Sequence, residues 1–166
     1  HGQPKDLSYP HKLIVLRKKG FSLAYCETRK NPAWVAYELG PNPQKYNFPR
    51  PSFRVDRTVK AASPTDYYKT GYDRGHLAPN SAMVTRFGRP SQLDSFLMSN
   101  IVPMRPSLNR GIWAGREAMV RNYANNLEKV WIVTGPVYDD ERINLPSEVE
   151  IPDSFFKIII DEIEGK

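Results

Sequence analysis

NRGIWAGREAMVRNYANNL, residues 109–127, reads as an amphipathic helix, and the fold is assembled outward from it. At roughly 100° per residue, Ile112, Trp113, Met119, Val120, Tyr123, Ala124 and Leu127 fall within one arc of about 140°. Such a face needs an apolar partner, and the flanking sequence supplies it. VWIVTG (130–135) and FFKIIIDEI (155–163) are β-branched and aromatic runs of strand length. LMSNIV (97–102) reads as a short buried strand, and residues 91–98 are expected to hold one or two helical turns. Upstream, KLIVL (12–16) and FSLAY (21–25) flank Arg17-Lys18-Lys19-Gly20, which predicts a hairpin. Asn31-Pro32 reads as a break before WVAYEL (34–39), a further strand. Four prolines mark residues 40–52 as loop, and residues 54–75 stay irregular and polar. A stretch that long inside a small domain is disordered or functional. Hairpin strands with one long helix point to an α+β class.

The 166 residues, 40% of them hydrophobic, suffice for a single domain over residues 1–166 with a real core. No apolar run approaches the roughly 20 residues needed to cross a bilayer, so membrane insertion is not expected. Cys26 is the only cysteine, which excludes an intrachain disulfide and leaves the compartment open. The first residue is His1, so a processed or trimmed form is expected, either secreted or periplasmic, or mitochondrial. Charge is unevenly spread: the net +6 divides into +12 over residues 1–138 and −6 over residues 139–166. A basic body of this kind suits a polyanion. Nucleic acid leads, ahead of an anionic membrane surface or an acidic polysaccharide.

Of the three histidines, His1 is terminal and His11 precedes a strand, so both are expected in solvent. His76 follows Gly75, which is expected to allow a sharp backbone turn, and stands beside Asp73 and Arg74. It is either a general base near neutral pH or an ordinary surface histidine in a turn. One cysteine and three histidines do not make a zinc site of the Cys/His type. A hard cation is easier to hold, because Mg²⁺ wants oxygen ligands and keeps several waters. Asn109 lies at about 60° on the helical wheel, on the inward side, where a polar amide must find a partner. It reads as an N-cap, a metal ligand, or both. Glu117 lies at the edge of the arc with Arg121 as its i+4 neighbour, a surface pair on the simplest reading. Arg116 also falls inside the arc, either against the register or as a cation in the cleft.

DRGHLAPN (73–80) resembles the active-site segment of the DNA/RNA non-specific endonucleases, the ββα-metal class. SNIVPMRPSLNRGIWAGRE (99–117) is similar to the SNIxPQ…LN…W…E block of that family, and the two blocks occur in the family's order. WVAYEL and VTGPVY (133–138) also look like family segments. The resemblance implies a ββα-metal nuclease fold: a central antiparallel sheet with a long helix carrying the metal site. It implies that His76 is the general base, that Asn109 ligates Mg²⁺ (Mn²⁺ substituting), and that Glu117 holds metal-bound water. It places Arg74 and Arg121 near the scissile phosphate and has Asn100 shape the catalytic site. Arg50 or Arg54 matches an upstream phosphate-contacting arginine, and Asp73 supports the loop. The implied activity is cleavage of DNA and RNA with little sequence preference, leaving 5′-phosphate ends. The alternative is a module that binds nucleic acid without cutting it; a phosphodiesterase acting on a small anion is a third reading.

Two features depart from the family. Met104 stands where the family carries Gln. The family also continues beyond the segment matching 155–163, so a shortened chain is expected, its last strand pairing with missing sequence, a second chain or another copy.

Overall fold

A computed structural model describes residues 11–41, 43–139 and 141–161; His1 lies outside the described residues. Five strands form one antiparallel sheet in the order β1-β2-β3-β6-β7. They are β1 (Ile14–Lys18), β2 (Phe21–Cys26), β3 (Asn31–Leu39), β6 (Val130–Val137) and β7 (Ser154–Asp161). Two short strands, β4 (Asp73–His76) and β5 (Ile101–Met104), pair into a separate antiparallel ribbon. Helix α1 (Asn80–Ser95) and helix α2 (Ala114–Asn126) follow one strand of the ribbon each. The ribbon with the chain running into α2 forms the ββα unit that the sequence implied.

Side-chain alternation explains how the layers meet. Leu23, Tyr25, Val35, Tyr37, Leu39 and Ile132 present one sheet face to Leu77, Met83, Val102, Met104, Trp113, Val120 and Ala124 in a continuous core. A second cluster lies on the ribbon's other side, with Tyr67, Met98, Ile101 and Val149 buried together. The ribbon therefore runs between two apolar layers, and the residues at its end are held from both sides.

The predicted β1–β2 hairpin forms, with a loop of only Lys19 and Gly20, because Lys18 pairs with Phe21. Gly20 takes φ +85°, which a side chain resists. The expected break at Asn31-Pro32 does not occur; both residues belong to β3. The register shifts between Ala24 and Tyr25, and this bulge accommodates a proline that has no N–H to give. Residues 97–102 are not one strand but a 3₁₀ turn, Met98–Asn100, leading into β5. The helical turns expected at 91–98 are the second half of a longer helix, broken at Gly88 (φ +80°) ahead of Pro90. His11 is half-buried, not fully in solvent.

The long helix exists, but its apolar face is narrower than the wheel implied. Trp113, Val120 and Ala124 are buried, whereas Ile112 is 69% exposed and Tyr123 and Arg116 face solvent. The cause is a π-helical segment, Leu108–Trp113, before α2. A wider turn breaks the 100° step, so residues on either side of it no longer share one phase.

Candidate active site

His76 is the last residue of β4 and pairs with Ile101 of β5. It is not in a turn, and Gly75 is not there to bend the chain. A Cβ on Gly75 would lie 2.8 Å from Cβ of Met104, so glycine is required by close approach across the ribbon. Met104, the departure from the family pattern, is fully buried and fills that contact.

The backbone around His76 is fixed on both sides. Trp113 donates its indole N–H to the His76 carbonyl at 3.1 Å. Asn100 accepts from the Ala78 N–H at 2.9 Å and donates to the Ala78 and Ser95 carbonyls at 3.0 and 2.9 Å. That side chain, expected among the catalytic residues, spends its amide on the backbone and positions the segment after His76. His76 is 9% exposed, with the rings of Phe53 and Phe96 centred 5.3 and 4.7 Å from its own. Its Nε2 has no hydrogen-bond partner among the described residues. Burial, and then the charge of Arg50, lower its pKa to about 3.

His76 opens on a cleft of about 250 Å³, which Arg50, Arg74, Asn80, Asn109 and Glu117 also line. The guanidinium of Arg50 lies 5.0 Å from the centre of the Phe96 ring, and that of Arg74 lies 4.8 Å from Phe53. Of the two upstream arginines, Arg50 reaches the cleft. Arg54 donates to the Leu93 carbonyl at 3.2 Å, and its backbone bonds Phe96 and Met98, so it anchors the wall of the site. Arg121 stands behind the cleft and donates to Ser81 Oγ at 3.0 Å; Ser81 is itself part of the lining.

Asn109 does not cap the helix, because its N–H already bonds the Arg105 carbonyl at 2.9 Å inside the helical run. Its side-chain nitrogen donates to Asp73 Oδ2 at 2.9 Å. Asp73 also accepts two bonds from Arg110, at 2.9 and 2.7 Å. The Arg110 bond, against a smaller effect of burial and aided by Asn109, holds the Asp73 carboxyl below the usual range. With its nitrogen committed, Asn109 has an amide oxygen without a partner among the described residues, on a residue that lines the cleft. Asp73 therefore does more than support a loop: it sets which end of the Asn109 amide is free.

Glu117 is half-buried at the same cleft. Burial raises its pKa, opposed by the charges of Lys157, Arg121 and Arg50. Lys157 of β7 lies 4.4 Å from the Trp113 ring centre, and its ammonium has no hydrogen-bond partner among the described residues. Burial lowers its pKa against the pull of Glu117. Sequence reasoning missed this lysine; the available signal was one cation inside the apolar run FFKIII. Among the described residues, no group of three or more His, Cys, Asp or Glu side chains is arranged to hold a metal ion. An unpartnered amide oxygen beside a carboxyl fits a hard cation that keeps most of its water.

Comparison with known proteins gives the family. The profile of the family described as DNA/RNA non-specific endonuclease matches residues 4–166. A nuclease of Nostoc sp. is 31% identical over 161 residues, covering 95% of this chain and 57% of its own. Human mitochondrial endonuclease G is 29% identical over 164 residues, 89% of this chain and 54% of its own. The mitochondrial nuclease of Saccharomyces cerevisiae is 30% identical over 169 residues, 87% of this chain and 50% of its own. The chain spans about half the length of these curated relatives. With the profile matched over nearly its whole length, the chain belongs to the DNA/RNA non-specific endonuclease family.

Proposed function

We propose that the protein is a metal-dependent endonuclease that hydrolyses phosphodiester bonds in DNA and RNA with little sequence preference and leaves 5′-phosphate ends. The observation that carries this is an imidazole with an unpartnered Nε2 in one cleft with Arg50, Arg74 and Asn109. His76 takes a proton from the water that attacks phosphorus. The bond from phosphorus to the 3′ oxygen breaks, and that oxygen leaves as a hydroxyl after protonation by solvent. Arg50 and Arg74 bear on the phosphoryl oxygens as charge builds there. Asn109 would hold Mg²⁺, or Mn²⁺ in its place, through its amide oxygen, and Glu117 would hold it through water. When bound, the ion supplies charge neutralisation at the leaving oxygen. Phosphate contacts carry no base information, so weak sequence preference follows.

The test is digestion of plasmid and of RNA in Mg²⁺, with and without EDTA. His76→Ala is expected to lower the rate roughly 10²–10⁴-fold, the usual worth of a positioned acid or base. Full activity in that variant sinks the assignment. Salt-dependent retention of nucleic acid with no cleavage in Mg²⁺ would favour the non-catalytic binding module. Of the two addresses open from sequence, secreted or periplasmic and mitochondrial, the names of the human and yeast relatives support the second. β7 lies at the sheet edge with Ile158 and Ile160 exposed, which supports pairing with a further strand, from another chain or a second copy.

A further inference from the structure

A second pocket, of about 380 Å³, adjoins the cleft and is walled by Pro64, Thr65, Tyr67, Tyr68, Lys69 and Arg74. Arg74 lines both cavities, so the pocket begins beside the position a bound phosphate would take. The loop that builds it is rigid at its base. Ser63 and Asp66 form a reciprocal cap on the turn Pro64–Tyr67. Tyr67 is buried, Thr70 Oγ1 donates to its carbonyl at 2.9 Å, and Ser147 Oγ donates to the Asp66 carbonyl at 3.2 Å.

On this fixed base Tyr68 is 75% exposed, the most exposed of the large apolar side chains described. Lys69 follows with φ +56°, a left-handed conformation that a non-glycine residue holds only when its surroundings enforce it. Its ammonium lies 5.3 Å from the Tyr68 ring centre. An aromatic ring left in water and paired with a cation, in one pocket with Arg74, matches what holds a single nucleic-acid strand. Bases stack on the ring, and cations follow the backbone.

We propose that Tyr68, with Lys69 and Arg74, forms a subsite that stacks an unpaired base next to the cleaved phosphate, so that the protein binds single-stranded nucleic acid in preference to duplex. The proposal rests on the nuclease reading of the adjoining cleft. A ring accepts any base, so the preference is for strandedness and not for sequence. In a duplex both faces of each base are already stacked, and Tyr68 gains nothing.

The experiment is fluorescence anisotropy in EDTA with a labelled 12-nucleotide single strand and the same sequence as a blunt duplex. Tyr68→Ala is expected to raise Kd for the single strand about tenfold and for the duplex less than twofold. Tyr68→Phe is expected to restore single-strand binding, because it keeps the ring. An unchanged single-strand Kd in Tyr68→Ala overturns the subsite, and so does equal weakening on both substrates. Because Tyr68 is exposed, an unaltered Tm shows that the variant is folded. Binding is read without metal or turnover, so it is independent of the cleavage assay on His76→Ala. Cleavage that needs His76, with no Tyr68 effect, removes the subsite alone. A Tyr68 effect in a protein that cuts nothing supports the subsite and removes the nuclease reading.

Discussion

The burial of His76 makes stability depend on pH in a way that can be measured without any substrate. Folded, the imidazole has a pKa of about 3; unfolded, it returns to the ordinary value near ~6.5. Between those values the unfolded chain binds a proton that the folded chain does not, so stability falls as pH falls through that window. At pH 5 the unfolded imidazole is about 1.5 pH units below its ordinary pKa, which costs the fold about 2 kcal/mol relative to pH 8. Glu117 works in the opposite sense. Its raised pKa lets the folded carboxyl keep a proton that the unfolded one has lost, so it adds stability as pH falls towards ~4.3. The wild-type curve alone therefore hides both effects, and a difference is needed. His76→Phe supplies it, since Phe53 and Phe96 already surround the site with rings. Urea unfolding of both proteins in EDTA at pH 8 and pH 5 gives the difference at each pH. The wild type is expected to lose about 2 kcal/mol against the variant between the two, a relative midpoint shift of about 1 M at a slope near 2 kcal/mol/M. An unchanged difference would mean that His76 is protonated in the folded protein at pH 5, and the neutral-base reasoning would fail.

Two further outcomes concern the ribbon and its support. Gly75→Ala places a methyl 2.8 Å from Met104 Cβ, and overpacking of this kind costs about 1–3 kcal/mol, or a Tm lower by roughly 2–12 °C. Trimming Met104 to Ala in the same chain should not restore it, because the Cβ remains and a cavity opens in the core; full recovery by calorimetry would refute the steric account. Asp56 is buried against Lys18 at 2.6 Å and accepts bonds from Ser99 and Thr58. Burial would raise its pKa, but these partners outweigh burial and hold it at about 2. Its stabilisation is thus present above ~3.9 and lost as pH falls towards 2. Asp56→Asn should cost about 3 kcal/mol at pH 7 by stranding the Lys18 ammonium. Lys18→Met added to it should recover much of the loss, and a double variant no better than the single one argues against the pairing.

What was legible in the sequence, and what was not, divides along physical lines. Strands β1, β2 and β6 were readable because their apolar runs and turn residues agree with the tertiary layers they enter. The helix carrying Asn109 was readable as a helix, but its phase was not. A π-segment depends on what the backbone gains by widening a turn at Leu108–Trp113, and no side-chain periodicity reports that. The first half of α1 has no clear apolar period, and the chain uses Gly88 at positive φ to kink and continue past it. The candidate site residues came from the motifs, but how they are arranged required coordinates. Asp73 and Asn109 lie 36 positions apart, and only their 2.9 Å contact shows that a carboxylate frees the amide oxygen. Lys157, 40 positions beyond Glu117 and on another element, bears on its charge through space. Tyr68 looks like a loop residue in sequence; the pocket wall it shares with Arg74 makes it a neighbour of the phosphate position. Motifs report groups that do chemistry at fixed spacing, while the groups that orient and charge them are spaced by the fold. The residues worth mutating next to His76 are therefore Asp73, Lys157 and Tyr68.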